Sequence, residues 1–198
     1  MPRPSQRAAI IDAALHCFAD RGFDATRVKH IAEEAGVAES ALYRHFPSKE
    51  AIAQELYAEF LGRYAERLQS IARSAEEPES KVRAVIRLIL DTYRTEPDAF
   101  VFVVINTNRR LPSLPAGTVY PLDVIESIIV EAQAAGVVRD GQSNLLAAIL
   151  LGAALQPVVL ATLSRPGAFD LLGNSSYDAI ITEAAIAAIR RSPCLSSG

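Results

Sequence analysis

The chain has 198 residues, a formal net charge of −3 and 50% apolar residues. That is enough apolar matter to bury a core without disulfides or metal staples, and too much for a largely disordered chain. Its two cysteines, Cys17 and Cys194, form no CxxC pair, which excludes a cysteine zinc site and a disulfide framework.

The N-terminus leads into an amphipathic segment with no apolar h-region, so no signal peptide is read there and a cytoplasmic setting is expected. The sequon at Asn174 is taken as chance. Strand signals are nearly absent, and almost every periodic stretch repeats at helical spacing. The first predicted helix covers 5–21, with Ile10, Ile11, Ala14, Leu15 and Phe18 on one stripe and Gly22 at its C′ position. Thr26 is read as the cap of a short helix over 27–35. Gly36-Val37-Ala38 forms a tight turn, and a third helix covers 39–46. Ser48 caps a long fourth helix over 48–74, which Pro78 follows. Helices are predicted at 79–94 and 97–109, a proline-rich loop at 111–121, then helices at 121–135, 142–164 and 176–191, and a loose tail at 192–198. The fold class is therefore all-α.

The stretch 145–163 is apolar on all sides and carries no charge, so its length alone admits a membrane span. Gln156, Pro157, Gly152 and the missing aromatic belt argue instead for a helix buried on two sides, one of them a partner subunit.

Residues 27–46 carry the chemistry. Two short helices meeting at a glycine turn have the helix-turn-helix layout, in which the second helix enters the DNA major groove. Ile31, Ala32, Ala35, Val37, Leu42 and Phe46 supply its packing, and Glu39, Ser40, Ala41, Arg44 and His45 point outward. The runs Ile31-Ala32-Glu33-Glu34-Ala35-Gly36-Val37 and Ala41-Leu42-Tyr43-Arg44-His45-Phe46-Pro47-Ser48-Lys49-Glu50-Ala51 resemble the N-terminal domain of the TetR/AcrR family of bacterial repressors. The resemblance covers about 5–60. It departs at Ala38, where a capping Ser or Thr is usual, at Ala41, where a Thr often contacts DNA, and at Arg27, where a small hydroxyl residue is common.

The resemblance implies a DNA-binding domain at 4–64 and a helical ligand-binding and dimerisation domain at 65–191. Tyr43, His45, Lys49, Thr26 and Arg27 are expected to hold phosphates. Lys29, Glu39, Ser40, Ala41 and Arg44 are expected to face bases, with Arg44 or Lys29 suited to guanine and Glu39 to cytosine N4. Polar groups set in apolar helices suggest an effector site at Tyr93, Phe102, Asn106, Tyr120 and Gln156. The alanine-rich last helix suggests a homodimer seam at Leu151, Leu155, Ile181, Ala184 and Ala188. The expected function is a sequence-specific transcriptional regulator, a repressor released from an inverted-repeat operator by a small apolar or amphipathic effector. The alternative is a helical protein-interaction adaptor. Enzyme motifs such as GxSxG, HExxH and the P-loop are absent, so no catalytic residue, metal or cofactor is expected.

Overall fold

The computed structural model describes residues 5–105, 119–162 and 169–191. Within them the regular elements are helices: α1 (Gln6–Arg21), α2 (Val28–Glu34), α3 (Glu39–His45), α4 (Lys49–Arg73), α5 (Pro78–Thr95), α6 (Pro97–Phe100), α7 (Pro121–Ala134), α8 (Ser143–Thr162) and α9 (Tyr177–Ile189). The predicted tail and most of the predicted loop at 111–121 lie outside the described residues, as do Asn106, Leu163 and Cys194.

The chain forms two compact units, residues 1–63 with 96–118 and residues 64–95 with 119–198. This differs from a single cut after residue 64. The segment from Glu96 joins the first unit because its aromatic residues complete that unit's core. Phe102 is 1% exposed and stacks on Phe18 with ring centroids 5.0 Å apart. The Asp98 carboxylate lies 3.1 Å from His16 Nδ1 on α1, and Arg63 donates to Glu96 at 2.7 Å. The long helix predicted at 97–109 is α6 followed by a π-helical turn, Val101–Ile105, over its described length. Four β-branched residues in that turn (Val101, Val103, Val104 and Ile105) crowd an ordinary α turn.

In the first unit, α1 is capped by Ser5, whose Oγ accepts from Ala8 N at 3.2 Å. It ends at Gly22, with φ +77°, where the amide reaches back to Phe18 O. α2 also ends at a glycine of positive φ, Gly36 at +65°. The Gly36 amide donates to Glu33 O and the Val37 amide to Ala32 O, which satisfies the last carbonyls of the helix. α3 starts at Ala38 without a side-chain cap. Ile10, Ala14, Phe18, Ile31, Leu42 and Ile52 close the core between these helices.

The second unit packs α5, α7, α8 and α9 through Val85, Ile86, Ile128, Ile129, Leu150, Ala154, Ala185 and Ile189. Ion pairs rim this core. Lys81 is buried and donates to both carboxylate oxygens of Glu131, at 2.8 and 2.9 Å, and to Ala72 O at 3.0 Å. Arg94 grips Asp178 and donates to Leu171 O. A short antiparallel bridge joins Val138 to Arg190 beside the end of α9.

α8 is long and apolar enough to cross a membrane, yet only 28% of its most apolar stretch is buried. Leu145, Ile149 and Leu160 lie exposed along it, and Ile180 on α9 is 68% exposed. The second unit therefore presents apolar side chains to solvent along two adjacent helices.

Candidate nucleic-acid interface

The helix-turn-helix is built by a few polar contacts around a small apolar centre. Thr26 does not cap α2. The cap position is Arg27, whose amide donates to His30 Nδ1 at 3.1 Å. Thr26 is 1% exposed, and its hydroxyl lies 3.0 Å from Cys17 O and 2.8 Å from Gly22 O. It ties the loop between α1 and α2 to the end of α1 and is sealed away from any phosphate.

Lys49, at the start of α4, also turns inward. Its ammonium donates to Phe23 O at 2.8 Å and Thr26 O at 2.7 Å, and sits 4.4 Å from the centre of the Phe23 ring. Those carbonyls belong to the connection after α1 and have no helical partner. Lys49 thus fastens the connection preceding α2 and leaves its charge little reach towards DNA. Sequence spacing missed this role because the acceptors lie more than twenty residues upstream. The available signal was a lysine at the entry of a helix that must pack beside a loop rich in orphan carbonyls.

Ala41, read from the sequence as outward, is 5% exposed and packs with Leu42 into the core. The outward face of α3 is instead Glu39, Ser40, Tyr43, Arg44 and His45. The Tyr43 ring is 51% exposed, and its hydroxyl has no partner among the described residues. Arg44 is likewise free. His45 Nε2 lies 3.2 Å from Gln6 Oε1, a contact that orients the exposed ring. Arg27 and Lys29, at the start of α2, are exposed and free of ion pairs. Arg7 stacks 4.9 Å from the Phe46 ring and pairs with Glu55. The first turn of α1 is thereby fixed against the end of α3.

Among the described residues this unit therefore presents Arg27, Lys29 and Arg44 as unpaired cationic side chains, with a phenol and an imidazole, on and beside the exposed helix α3. Cations and hydroxyls at its margin suit phosphate oxygens, and the side chains of α3 itself are spaced to meet base edges. The His16 imidazole, on α1, has its pKa raised by its hydrogen bond to Asp98, with smaller contributions from Glu34 and Asp20.

Residues 10–56 match the family model described as bacterial regulatory proteins, tetR family. The match covers the helix-turn-helix part of the chain, from α1 into α4. Among curated relatives, the transcriptional repressor KstR2 of Mycolicibacterium smegmatis is 33% identical over 111 residues, which is 56% of this chain and 54% of that protein. The chain thus spans about half the length of this relative. Among solved structures, KstR2 of Mycobacterium tuberculosis superposes with a TM-score of 0.73 at 22% identity, covering 96% of this chain and 98% of that one. FadR of Bacillus subtilis in complex with stearoyl-CoA superposes with a TM-score of 0.69 at 21% identity, covering 92% and 99%. At these identities the two structures establish the fold of the chain.

The residues expected to line an effector site are not brought together. Phe102 is spent on Phe18 in the first unit. Tyr93 is buried in the second, where Tyr120 and Gln156 are exposed. Asn106 lies outside the described residues. A cleft of about 370 Å³ in the second unit is lined by Arg83, Arg87, Asp91, Asp178 and Glu183, more highly charged than the expected apolar site. Of the expected seam residues, Ile181 is buried within its own unit, Leu151, Leu155 and Ala188 are partly exposed, and Ala184 is exposed.

Proposed function

We propose that this protein is a sequence-specific, DNA-binding transcriptional regulator of the bacterial cytoplasm, acting as a repressor and binding an inverted-repeat operator as a homodimer. The observation that carries this reading is the outward face of α3, with Tyr43 and Arg44 unpartnered among the described residues, inside a domain that matches the tetR-family model. Arg44, Glu39, Ser40 and Lys29 read bases. Arg27, Tyr43 and His45 hold phosphates. Lys49 and Thr26 fix the frame behind them. A two-fold dimer sets two recognition helices in major grooves roughly 34–36 Å apart or a multiple of it.

The exposed apolar residues of α8 and α9 support a second copy of the chain as the natural cover. An apolar or amphipathic small molecule binding the helical C-terminal part releases the operator, in keeping with the stearoyl-CoA complex of FadR. α4 supports such coupling, because it begins in the first unit and ends in the second. An effector acts only through a higher affinity for the DNA-incompetent state, and DNA then weakens effector binding by the same factor.

The test is selection of duplexes from a random pool, followed by titration over a range of salt. Enrichment of a two-fold symmetric sequence, with affinity falling steeply with salt, is the expected result. A stable dimer with no salt-dependent duplex binding would favour the adaptor reading.

A further inference from the structure

Three features coincide in one turn at the middle of α8. Pro157 sits inside the helix and has no N–H, so it cannot donate to the carbonyl of Ala153 four residues before it. Gln156 is exposed, and its carboxamide has no partner among the described residues. Gly152, one turn earlier, faces open space, with nothing within 4 Å of where a Cβ would stand. Gly152 and Gln156 fall at helical spacing on the apolar surface that runs from Leu145 through Ile149 to Leu160, and Pro157 borders it.

We propose that this turn is the register lock of the homodimer: the Gln156 carboxamide of each protomer donates to the partner subunit's Ala153 carbonyl, across a two-fold axis that crosses α8 at the level between Ala153 and Gln156. The inference rests on the dimer reading above and deepens it.

The argument for a second copy as the occupant is complementarity. Among the described residues, one short stretch offers both a free donor and a free acceptor. A two-fold axis brings the donor of one copy to the acceptor of the other, twice, which is the self-complementary contact a symmetric dimer requires. A lipid bilayer would cover the same apolar stripe but would leave both groups without partners in hydrocarbon. Gly152 removes the side chain that would hold the backbones apart, so the carboxamide can reach the opposing carbonyl. An apolar seam alone tolerates sliding by a turn. A single polar pair within it tolerates only the arrangement that satisfies it, as a lone buried Asn does in coiled coils.

The experiment is a double-mutant cycle on the full chain, read as the dimer dissociation constant by sedimentation equilibrium. Gln156→Met keeps length and removes the donor. Pro157→Ala restores the N–H that satisfies Ala153 within its own helix. Gln156→Met is expected to weaken the dimer roughly tenfold in the wild-type background, as two lost hydrogen bonds imply, and less than twofold in the Pro157→Ala background. Equal effects in both backgrounds, or no effect in the first, would overturn the lock while leaving the dimer standing. A monomeric wild type at micromolar concentration would overturn the dimer reading and the lock with it. Should Pro157→Ala not fold, Gln156→Glu decides the matter. A protonated carboxyl at pH 4 still donates to the partner's Ala153 carbonyl, whereas the carboxylate at pH 8 has no proton to give and repels that oxygen; the dimer should weaken at least tenfold between pH 4 and pH 8, and a pH-independent dimer would contradict the proposal.

Discussion

The two units solve the same problem, holding short helices together, by different means, and their surfaces differ accordingly. The first uses polar fasteners. Thr26, His30, Lys49 and Arg7 each bind backbone, ring or carboxylate partners and set the connections between α1, α2, α3 and α4. What it leaves exposed is charged and hydroxylated. The second relies on an aliphatic core rimmed by ion pairs, and along α8 and α9 it leaves Leu145, Ile149, Leu160 and Ile180 exposed. A surface of unpaired cations suits a polyanion. A surface of aliphatic side chains suits a protein. The contrast teaches that partner class can be read from what each unit fails to satisfy internally.

The sharpest way to break the contrast is at the centre of the first unit. Phe18 is fully buried and touches both Phe23 and Phe102. Phe18→Ala should cost about 3–5 kcal/mol, measured by urea denaturation, and abolish duplex binding. A loss below about 1 kcal/mol would mean that the aromatic cluster does not hold the unit.

Ala184→Glu on α9 should come next. The site is exposed in the protomer, so helix content should not change, while a charge in the apolar seam should give monomers by sedimentation velocity. An unchanged dimer would place the seam elsewhere.

Arg44→Ala should alter the preferred base at one position of each half-site, at about 1–3 kcal/mol for the preferred base. A uniform loss over all operator variants would assign Arg44 to phosphate.

Lys49→Met separates fastening from phosphate contact. It should lower stability by about 1–3 kcal/mol, because carbonyls at Phe23 and Thr26 lose a charged donor. The salt slope of DNA binding should stay as in wild type, whereas Arg27→Ala should lower it by about one unit. A lowered slope in Lys49→Met would return this residue to the phosphate contacts.

The smallest effect is expected at His16. Its pKa is raised above the ordinary 6.5 by Asp98, so the contact stabilises the first unit fully below pH 6.5 and fades as pH rises through the raised value. His16→Ala should flatten that dependence, by about 0.5 kcal/mol for so exposed a pair. An unchanged pH profile would leave the pair without a role in stability.

Much of the first unit was legible because its signals are local. Gly22 and Gly36 end helices by backbone conformation, and the α2 and α3 core residues follow helical spacing. The inward turn of Lys49 and the burial of Thr26 were not legible, since their partners depend on how α1 and α4 pack. Ala41 misled because an alanine fits either face. In the second unit the helices could be read from periodicity, but not the partners of their polar residues. Phe102 looked like a pocket residue beside Asn106, and only the packing of α6 against α1 assigns it to the core of the first unit. Gln156 looked like an effector contact, and its isolation on an exposed stripe became visible only once α8 was set against α5, α7 and α9.

The central claim is that α3 reads duplex DNA from a two-fold dimer. The most direct measurement is the mass of the protein–duplex complex by sedimentation, on a selected operator and on a single half-site. The account predicts two protomers on the full operator, weaker binding to the half-site, and a change in preferred base at both symmetric positions in Arg44→Ala. One protomer per operator, or a complex whose base preference ignores every α3 substitution, would contradict it.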